Sequence, residues 1–394
     1  MYFALTFPWD FVENQKYYDG LYNTYSNSKR IYIHKETVIK SHQERPIDVL
    51  WISSIKNLKS FTSYDDNSKV FHKNMQKMDT IENLFPLDAT DPNARAGKFL
   101  PNTKFVVLAN RFHGYESLSS HILKEFISFL MSDNTTAQKI LSEFVFVIFP
   151  MVNPDGVSNG YSITNTSKDD QDLLLDTNAI ADPKYFKKNY PGLFALHEMI
   201  RFVSNEYQLE SFFELRAPML NRGTRILGPE LHKDNFYQVL MFPYVYSSYD
   251  KNFSVKEHFL PHAINGNSQI IHKMTRRNCL YQIFFSVMKE LRPPTQTPSK
   301  KLKKNNLASR RKALGVIDSR SVEGRSGIKG MARRFGLAFS KLFDVVYQKN
   351  YLDEMKDILQ FEMEEYKKFF TKNKTAVEGR KKLILFRQRF DGKD

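Results

Sequence analysis

Residues 104–117 have the sequence KFVVLANRFHGYES, an apolar run followed by polar residues and by a histidine three positions before a glutamate. Short apolar runs rich in β-branched and aromatic residues are typical of buried strands, so this one predicts a strand at Lys104–Ala109. An imidazole and a carboxylate at the end of such a strand, here His113 and Glu116, can converge on a metal ion. A four-residue pattern often arises by chance, and the pair alone is weak evidence for a metal site.

Four other apolar runs predict further strands, at Ile47–Ser53, Phe144–Val152, Phe212–Leu215 and Thr224–Leu227. Between them, apolar residues spaced three and four apart predict amphipathic helices at His121–Met131 and Leu193–Phe202. Strands that alternate with helices indicate an α/β fold with helices on both faces of a central sheet.

Composition narrows the class of protein. The chain has 394 residues and a formal net charge of +15. Its single cysteine, Cys279, excludes an internal disulfide framework and any metal site built on several cysteines. The longest apolar runs are far shorter than the roughly 20 residues that span a bilayer, so we expect no transmembrane segment. These features favour a soluble, intracellular, basic protein.

The basic excess is concentrated in residues 300–334, which hold twelve lysines and arginines against two acidic residues. The stretch follows several prolines, is rich in Ser, Asn and Gly, and predicts a linker or arm. One interpretation is a solvated loop, and the other is an arm that binds an acidic partner. The residues expected to make such contacts are Lys300, Lys301, Lys303, Lys304, Arg310, Arg311, Lys312, Arg333 and Arg334.

The order of segments around His113 resembles the zinc carboxypeptidase superfamily, and specifically its cytosolic carboxypeptidase branch, whose members trim glutamates from tubulin tails. The resemblance rests on the segments 4–9, 32–52 and 84–86 before His113, and on Phe146–Gly156 after it. It is strongest to the members that remove branch-point glutamates. It implies a mixed, mostly parallel central sheet with helices on both faces, plus a C-terminal helical extension.

The resemblance also implies a division of the chain. Residues 1–290 form the carboxypeptidase-like α/β domain, and 291–334 form the basic linker or arm. Residues 335–350 supply the last helix of the domain, and 351–394 form a charged helical extension.

In this family, zinc is held by a His, a Glu and a second His, and a separate Glu acts as general base on the metal-bound water. His113 and Glu116 match the first two ligands. The second histidine belongs to a strand end that matches Glu214–Pro218, and its position is occupied by Arg216. The general base falls at Phe284. The positions of the substrate-binding arginines fall at Ile163, Asp172 and Leu173.

Arginine cannot ligate zinc, because its guanidinium stays protonated and offers no lone pair. Changes at several chemically distinct positions therefore predict a pseudoenzyme that keeps the fold and needs no cofactor. We expect Arg216 to form a salt bridge with Glu116 where zinc would lie, beside a neutral His113. The alternative is that Arg216 turns to solvent or to Asp155. A relocated ligand that rebuilds the zinc site is the remaining route to metal.

Three functions stay open. The first is an inactive structural or interaction subunit of a larger assembly, possibly at the microtubule or cilium. The second is an active zinc carboxypeptidase that removes glutamates from tubulin tails. The third is a basic subunit of a ribosomal or other nucleic-acid-containing mitochondrial assembly. The expected partner of residues 300–334 is tubulin, another acidic protein surface or nucleic acid, and the expected location is the cytoplasm or cilium, with the mitochondrion as alternative.

Overall fold

The computed structural model describes residues 8–59, 96–162, 182–217, 224–230, 236–250, 253, 255–261, 271, 275, 280–285, 329–330 and 332–339. The chain divides into a compact unit at Met1–Ser340 and a second unit at Lys341–Asp394. The second unit lies outside the described residues, as do the predicted extension at 351–394 and most of the basic stretch.

Eight strands form one sheet in the described part of the chain. They are β1 (Ile31–Lys40), β2 (Pro46–Ser54), β3 (Lys104–Asn110), β4 (Phe144–Phe149), β5 (Gln208–Arg216), β6 (Arg225–Leu227), β7 (Phe259–Leu260) and β8 (Leu280–Phe284). Their order is β1-β2-β4-β3-β5-β8-β6-β7. The central strands β4, β3, β5 and β8 are parallel, whereas β2 and β6 pair antiparallel with this centre. The expected mixed, mostly parallel sheet is confirmed.

Helices cover both faces of the sheet. They are α1 (Phe11–Tyr25), α2 (Ser117–Leu130), α3 (Thr135–Glu143), α4 (Pro154–Asn159), α5 (Pro183–Asn189), α6 (Pro191–Glu206), α7 (Phe236–Tyr249) and α8 (Val255–His258). Alternate residues of β3, such as Phe105 and Val107, share one buried cluster with Leu193 and Leu196 of α6. On the other face, Phe126 of α2 lies 6.0 Å from Phe146 of β4, measured between ring centroids. No helix in the described ranges is long and apolar enough to cross a membrane.

The predicted strands and helices are present with shifted ends. The strand predicted at Phe144–Val152 ends at Phe149, and the chain then enters α4, whose first turn is capped by the Asn153 side chain. β5 begins at Gln208, before the predicted Phe212, because the segment Gln208–Ser211 pairs with β3 although it carries polar side chains.

The last described helix begins earlier than the sequence predicted. Residues 329–330 and 332–339 are helical, so the helix starts inside the range assigned to the linker. Ala332, Phe335 and Phe339 are buried. The Phe335 ring packs on Phe126 and Phe213 at centroid distances of 4.9 and 5.5 Å. Apolar burial at helical spacing therefore outweighs the basic composition that suggested a linker.

This helix also contains Arg333 and Arg334, two basic residues of the expected partner surface. Arg334 Nε lies 3.1 Å from Asp250 Oδ2, so Arg334 is bound within its own domain. The neighbouring Arg333 is exposed. A partner contact therefore remains a prediction for both arginines.

Candidate functional site

His113 and Glu116 lie in residues 111–116, the loop between β3 and α2. β3 and β5 are parallel neighbours, and Asn110 pairs with Leu215. The loop therefore lies beside Arg216, the last residue of β5. Ligands of open α/β sheets bind at this carboxyl edge, which makes it the place to look for a functional site.

Asn153 fixes the backbone of this loop. Its backbone N–H donates to the Arg111 carbonyl at 3.1 Å, and its side-chain Nδ2 donates to the Phe112 carbonyl at 3.1 Å. Its Oδ1 accepts from the Gly156 N–H and caps α4. Asn153 thus joins the loop to α4.

Asp155 is held by the turn between β1 and β2. Its carboxylate accepts hydrogen bonds from Ser41 Oγ at 2.7 Å, from Arg45 Nη1 at 2.8 Å and from the Gln43 N–H at 3.3 Å. Arg216 makes its own contacts elsewhere. The alternative in which Arg216 turns to Asp155 is therefore wrong.

The guanidinium of Arg216 occupies the space between His113 and Glu116. Its Nε donates to Glu116 Oε1 at 2.8 Å, and its Nη2 lies 2.6 Å from His113 Nδ1. The predicted Arg216–Glu116 salt bridge is confirmed. Because a guanidinium can only donate hydrogen bonds, Nδ1 of His113 is the acceptor of this one. A neutral His113 remains a prediction.

A third side chain, Glu214, also accepts a hydrogen bond from Arg216, and this contact was not predicted from the sequence. Arg216 Nη1 donates to Glu214 Oε1 at 2.6 Å, and Gln282 Nε2 donates to Glu214 Oε2 at 3.1 Å. Glu214 and Arg216 are two apart on β5, and side chains two apart point to the same face of a strand. A glutamate inside the apolar run FFELR was the signal that could have revealed it.

The whole cluster is withdrawn from water. The exposed fraction is 0% for Glu116 and Glu214, 4% for Arg216 and 6% for His113. The guanidinium carbon of Arg216 also lies 5.5 Å from the Phe112 ring centroid, an additional cation–π contact. An uncompensated charge at this depth would be costly, so each charge here requires its partner.

Electrostatics keep the Glu116 carboxyl ionised. Burial by itself raises the pKa of the Glu116 carboxyl, but the charge of Arg216 and the contact with His113 outweigh it and hold that pKa below its ordinary value. Burial lowers the pKa of Arg111 to about 10, against the opposing influence of Glu116 and Asp10. Arg111 therefore stays charged at neutral pH and adds a second cation near Glu116.

The side chains present do not fit a catalytic zinc ion. The position predicted for the third ligand is occupied by Arg216, whose donors already engage His113 and Glu116, the residues predicted as the other two ligands. A fixed positive charge there also repels a metal cation. In the described part of the chain, no group of three or more His, Cys, Asp or Glu side chains is placed to hold a metal ion.

The other predicted positions lie partly outside the description. Phe284 ends β8 and pairs with Arg216 in the sheet register, but its side chain is not among the described ones. The predicted arginine positions Ile163, Asp172 and Leu173 lie outside the described residues. So do Lys300, Lys301, Lys303, Lys304, Arg310, Arg311 and Lys312.

Comparison with known proteins agrees with this geometry. Residues 17–173 match the family model described as zinc carboxypeptidase, a range that contains both His113 and Glu116. The match covers less than half of the chain, and the matched residues are similar to a zinc carboxypeptidase domain. The match ends before Arg216, so it carries no information on the position predicted for the third ligand.

The curated proteins to which this chain is similar include cytosolic carboxypeptidases. It is 29% identical over 174 residues to cytosolic carboxypeptidase-like protein 5 of Bos taurus, which covers 42% of this chain and 18% of the relative. It is 41% identical over 69 residues to cytosolic carboxypeptidase 1 of Homo sapiens, covering 18% of this chain and 6% of the relative. The chain thus matches less than a fifth of either relative's length.

Solved structures support the fold. A metallo-carboxypeptidase from Burkholderia cenocepacia superposes with a TM-score of 0.54 at 14% identity, covering 87% of this chain and 71% of that one. A metallo-carboxypeptidase from Pseudomonas aeruginosa gives a TM-score of 0.53 at 13% identity, covering 86% and 70%. At these identities the likeness establishes a carboxypeptidase-like fold.

Proposed function

We propose that this protein is a catalytically inactive member of the carboxypeptidase family that serves as a structural or interaction subunit. The observation that carries the proposal is the Arg216 guanidinium between His113 and Glu116, 2.6 Å and 2.8 Å from their nearest atoms. A zinc ion needs unprotonated donors at the same place, and a metallocarboxypeptidase needs zinc to activate water.

Metal analysis of the purified protein tests the proposal. We expect well under one zinc per chain, and no change in melting temperature with added zinc or with a chelator, since a ligand that does not bind the native state cannot stabilise it. We also expect no release of glutamate from glutamate-ended peptides. Stoichiometric zinc that is lost in His113→Ala, together with glutamate release, would support an active zinc carboxypeptidase instead.

We propose that the partner is an acidic protein surface, such as the glutamate-rich tail of tubulin, and that the protein acts in the cytoplasm, where the names of its relatives place them. The support is the net charge of +15 and its concentration in residues 300–334. Basic segments attract acidic partners through long-range electrostatics.

Binding to a glutamate-rich peptide tests the partner. We expect binding that weakens steeply as salt rises, because exposed charges are screened. Deletion of residues 300–328 should abolish it, and Lys40→Ala, which removes an exposed lysine of β1, should not. Preference for single-stranded RNA over the peptide would favour the nucleic-acid alternative, and salt-insensitive binding by the deletion variant would place the interface elsewhere.

A further inference from the structure

His113, Glu116 and Glu214 surround a single positive charge. Three nitrogens of Arg216 each point at a different one of these side chains, at 2.6 to 2.8 Å. Short, directional contacts in which the donor or the acceptor is ionised are the strong class of protein hydrogen bonds. The three acceptors are the types of side chain that elsewhere hold a metal ion.

The three acceptors come from two different parts of the fold. His113 and Glu116 belong to the loop at residues 111–116, whereas Glu214 belongs to β5 and is held from β8 by Gln282. Arg216 therefore connects the loop to two strands of the sheet.

We propose that these three side chains form a cation site whose permanent occupant is the tethered guanidinium of Arg216, and that this cation fixes the loop at residues 111–116 without metal. The inference rests on the proposed function, because it assumes that zinc is not the occupant. It adds that Glu214 is a positioning residue of the site, because it holds the guanidinium of Arg216 from β5.

Removal of the side chain is the first test. Arg216→Ala should lower the melting temperature by about 5–15 °C, since it leaves two buried carboxylates without their cation. Arg201→Ala is the matched control, because Arg201 makes an exposed ion pair with Glu198 and should lower it by no more than about 2 °C. Hydrogen exchange of the amides at residues 111–117 should accelerate in the first variant alone.

Chemical rescue separates a cation site from mere loss of packing. Guanidinium chloride at about 20 mM, far below denaturing concentrations, should raise the melting temperature of Arg216→Ala by several degrees relative to sodium chloride at equal ionic strength. Wild type, whose site is filled, should not respond. The double variant Arg216→Ala/Glu214→Gln should respond much less, because it lacks one of the two negative charges that attract the cation.

Two further variants keep the proposal testable should Arg216→Ala fail to fold. Arg216→Lys keeps the charge but not three diverging donors, so loop exchange should still accelerate. Glu214→Gln should destabilise more than Glu210→Gln, which alters a half-buried glutamate of the same strand.

The possible failures are distinguishable. Absence of rescue, or wild-type loop exchange in Arg216→Lys, would overturn the cation site while leaving the chain inactive. Stoichiometric zinc in the wild-type protein would instead overturn the proposed function.

Discussion

Gly114, between His113 and Glu116, is a residue whose missing side chain shapes the site. A Cβ atom built there would lie 2.6 Å from the Gly156 carbonyl oxygen and would also clash with the carbonyl oxygen of Tyr161. Backbone atoms cannot yield as a flexible side chain can, so Gly114→Ala must displace the loop or the segment after α4. We expect a loss of about 1–3 kcal/mol, the usual cost of overpacking.

The control for this prediction is Gly20→Ala. Gly20 lies inside α1, and no atom comes within 4 Å of a Cβ built there. Alanine in an exposed helix position should stabilise by up to about 1 kcal/mol. Urea denaturation of both variants measures the difference. A neutral Gly114→Ala would show that the 111–116 loop tolerates movement and that its backbone is not tightly fixed.

The cluster around Arg216 shows which side-chain contacts could be predicted from the sequence and which could not. The pairing of Arg216 with Glu116 was predictable, because a buried carboxylate without its metal requires another cation. Glu214 and Gln282 were not predicted, since each lies inside an apolar strand and the sequence does not say which strands are neighbours. Their contact arises because β5 and β8 pair in parallel, with Glu214 opposite Gln282.

At the scale of elements, the helix at 332–339 closes one face of the sheet. Phe335 packs on aromatic rings of α2, β5 and α7 at centroid distances from 4.9 to 6.0 Å. We expect Phe335→Ala to cost about 3–5 kcal/mol, the usual price of truncating a core phenylalanine. Arg333→Ala, on the exposed side of the same helix, should change stability by less than about 0.5 kcal/mol. Equal effects of the two substitutions in denaturant titrations would show that the helix is not part of the core.

Two deletion variants would test where the basic arm ends. Removal of residues 300–328 should preserve cooperative unfolding, because the helix at 332–339 keeps all its described contacts. Removal of 300–334 should lower the melting temperature, because it also removes buried Ala332 and the ion pair of Arg334 with Asp250. Thermal melts that leave both variants equally stable would contradict this boundary.

The elements that periodicity did not predict have specific physical causes. β1 carries His34 and Glu36 at buried positions, which interrupts the apolar pattern, and Glu36 is accommodated because it accepts a hydrogen bond from the Trp51 indole at 2.7 Å. α1 buries mainly Asn14 and Tyr18, so its sequence lacks an aliphatic stripe. In both elements, tertiary contacts to polar or aromatic groups outweigh local propensity.

At the scale of the whole molecule, several tyrosines of this aromatic-rich chain have buried phenol groups. Tyr18, Tyr32 and Tyr246 are each at most 3% exposed. Burial raises the pKa of all three, well above the ordinary tyrosine value for Tyr18 and Tyr32. For Tyr246, burial and then the charge of Asp250 raise the pKa to about 12, against opposing contributions from Thr224 and Arg334.

A raised pKa in the folded state links stability to alkaline pH. Below the unfolded tyrosine pKa of about 10, both states are protonated and the contribution to stability is complete. As pH rises further, the unfolded chain loses phenolic protons more readily than the folded chain, so stability falls until the folded-state pKa is passed.

We therefore expect the urea midpoint of the wild-type protein to drop between pH 9 and 11. Tyr246→Phe, which cannot ionise at this position, should lose less over that interval even if it is less stable at pH 7. An equal or larger loss in Tyr246→Phe would show that ionisation of Tyr246 does not limit the alkaline stability of the fold.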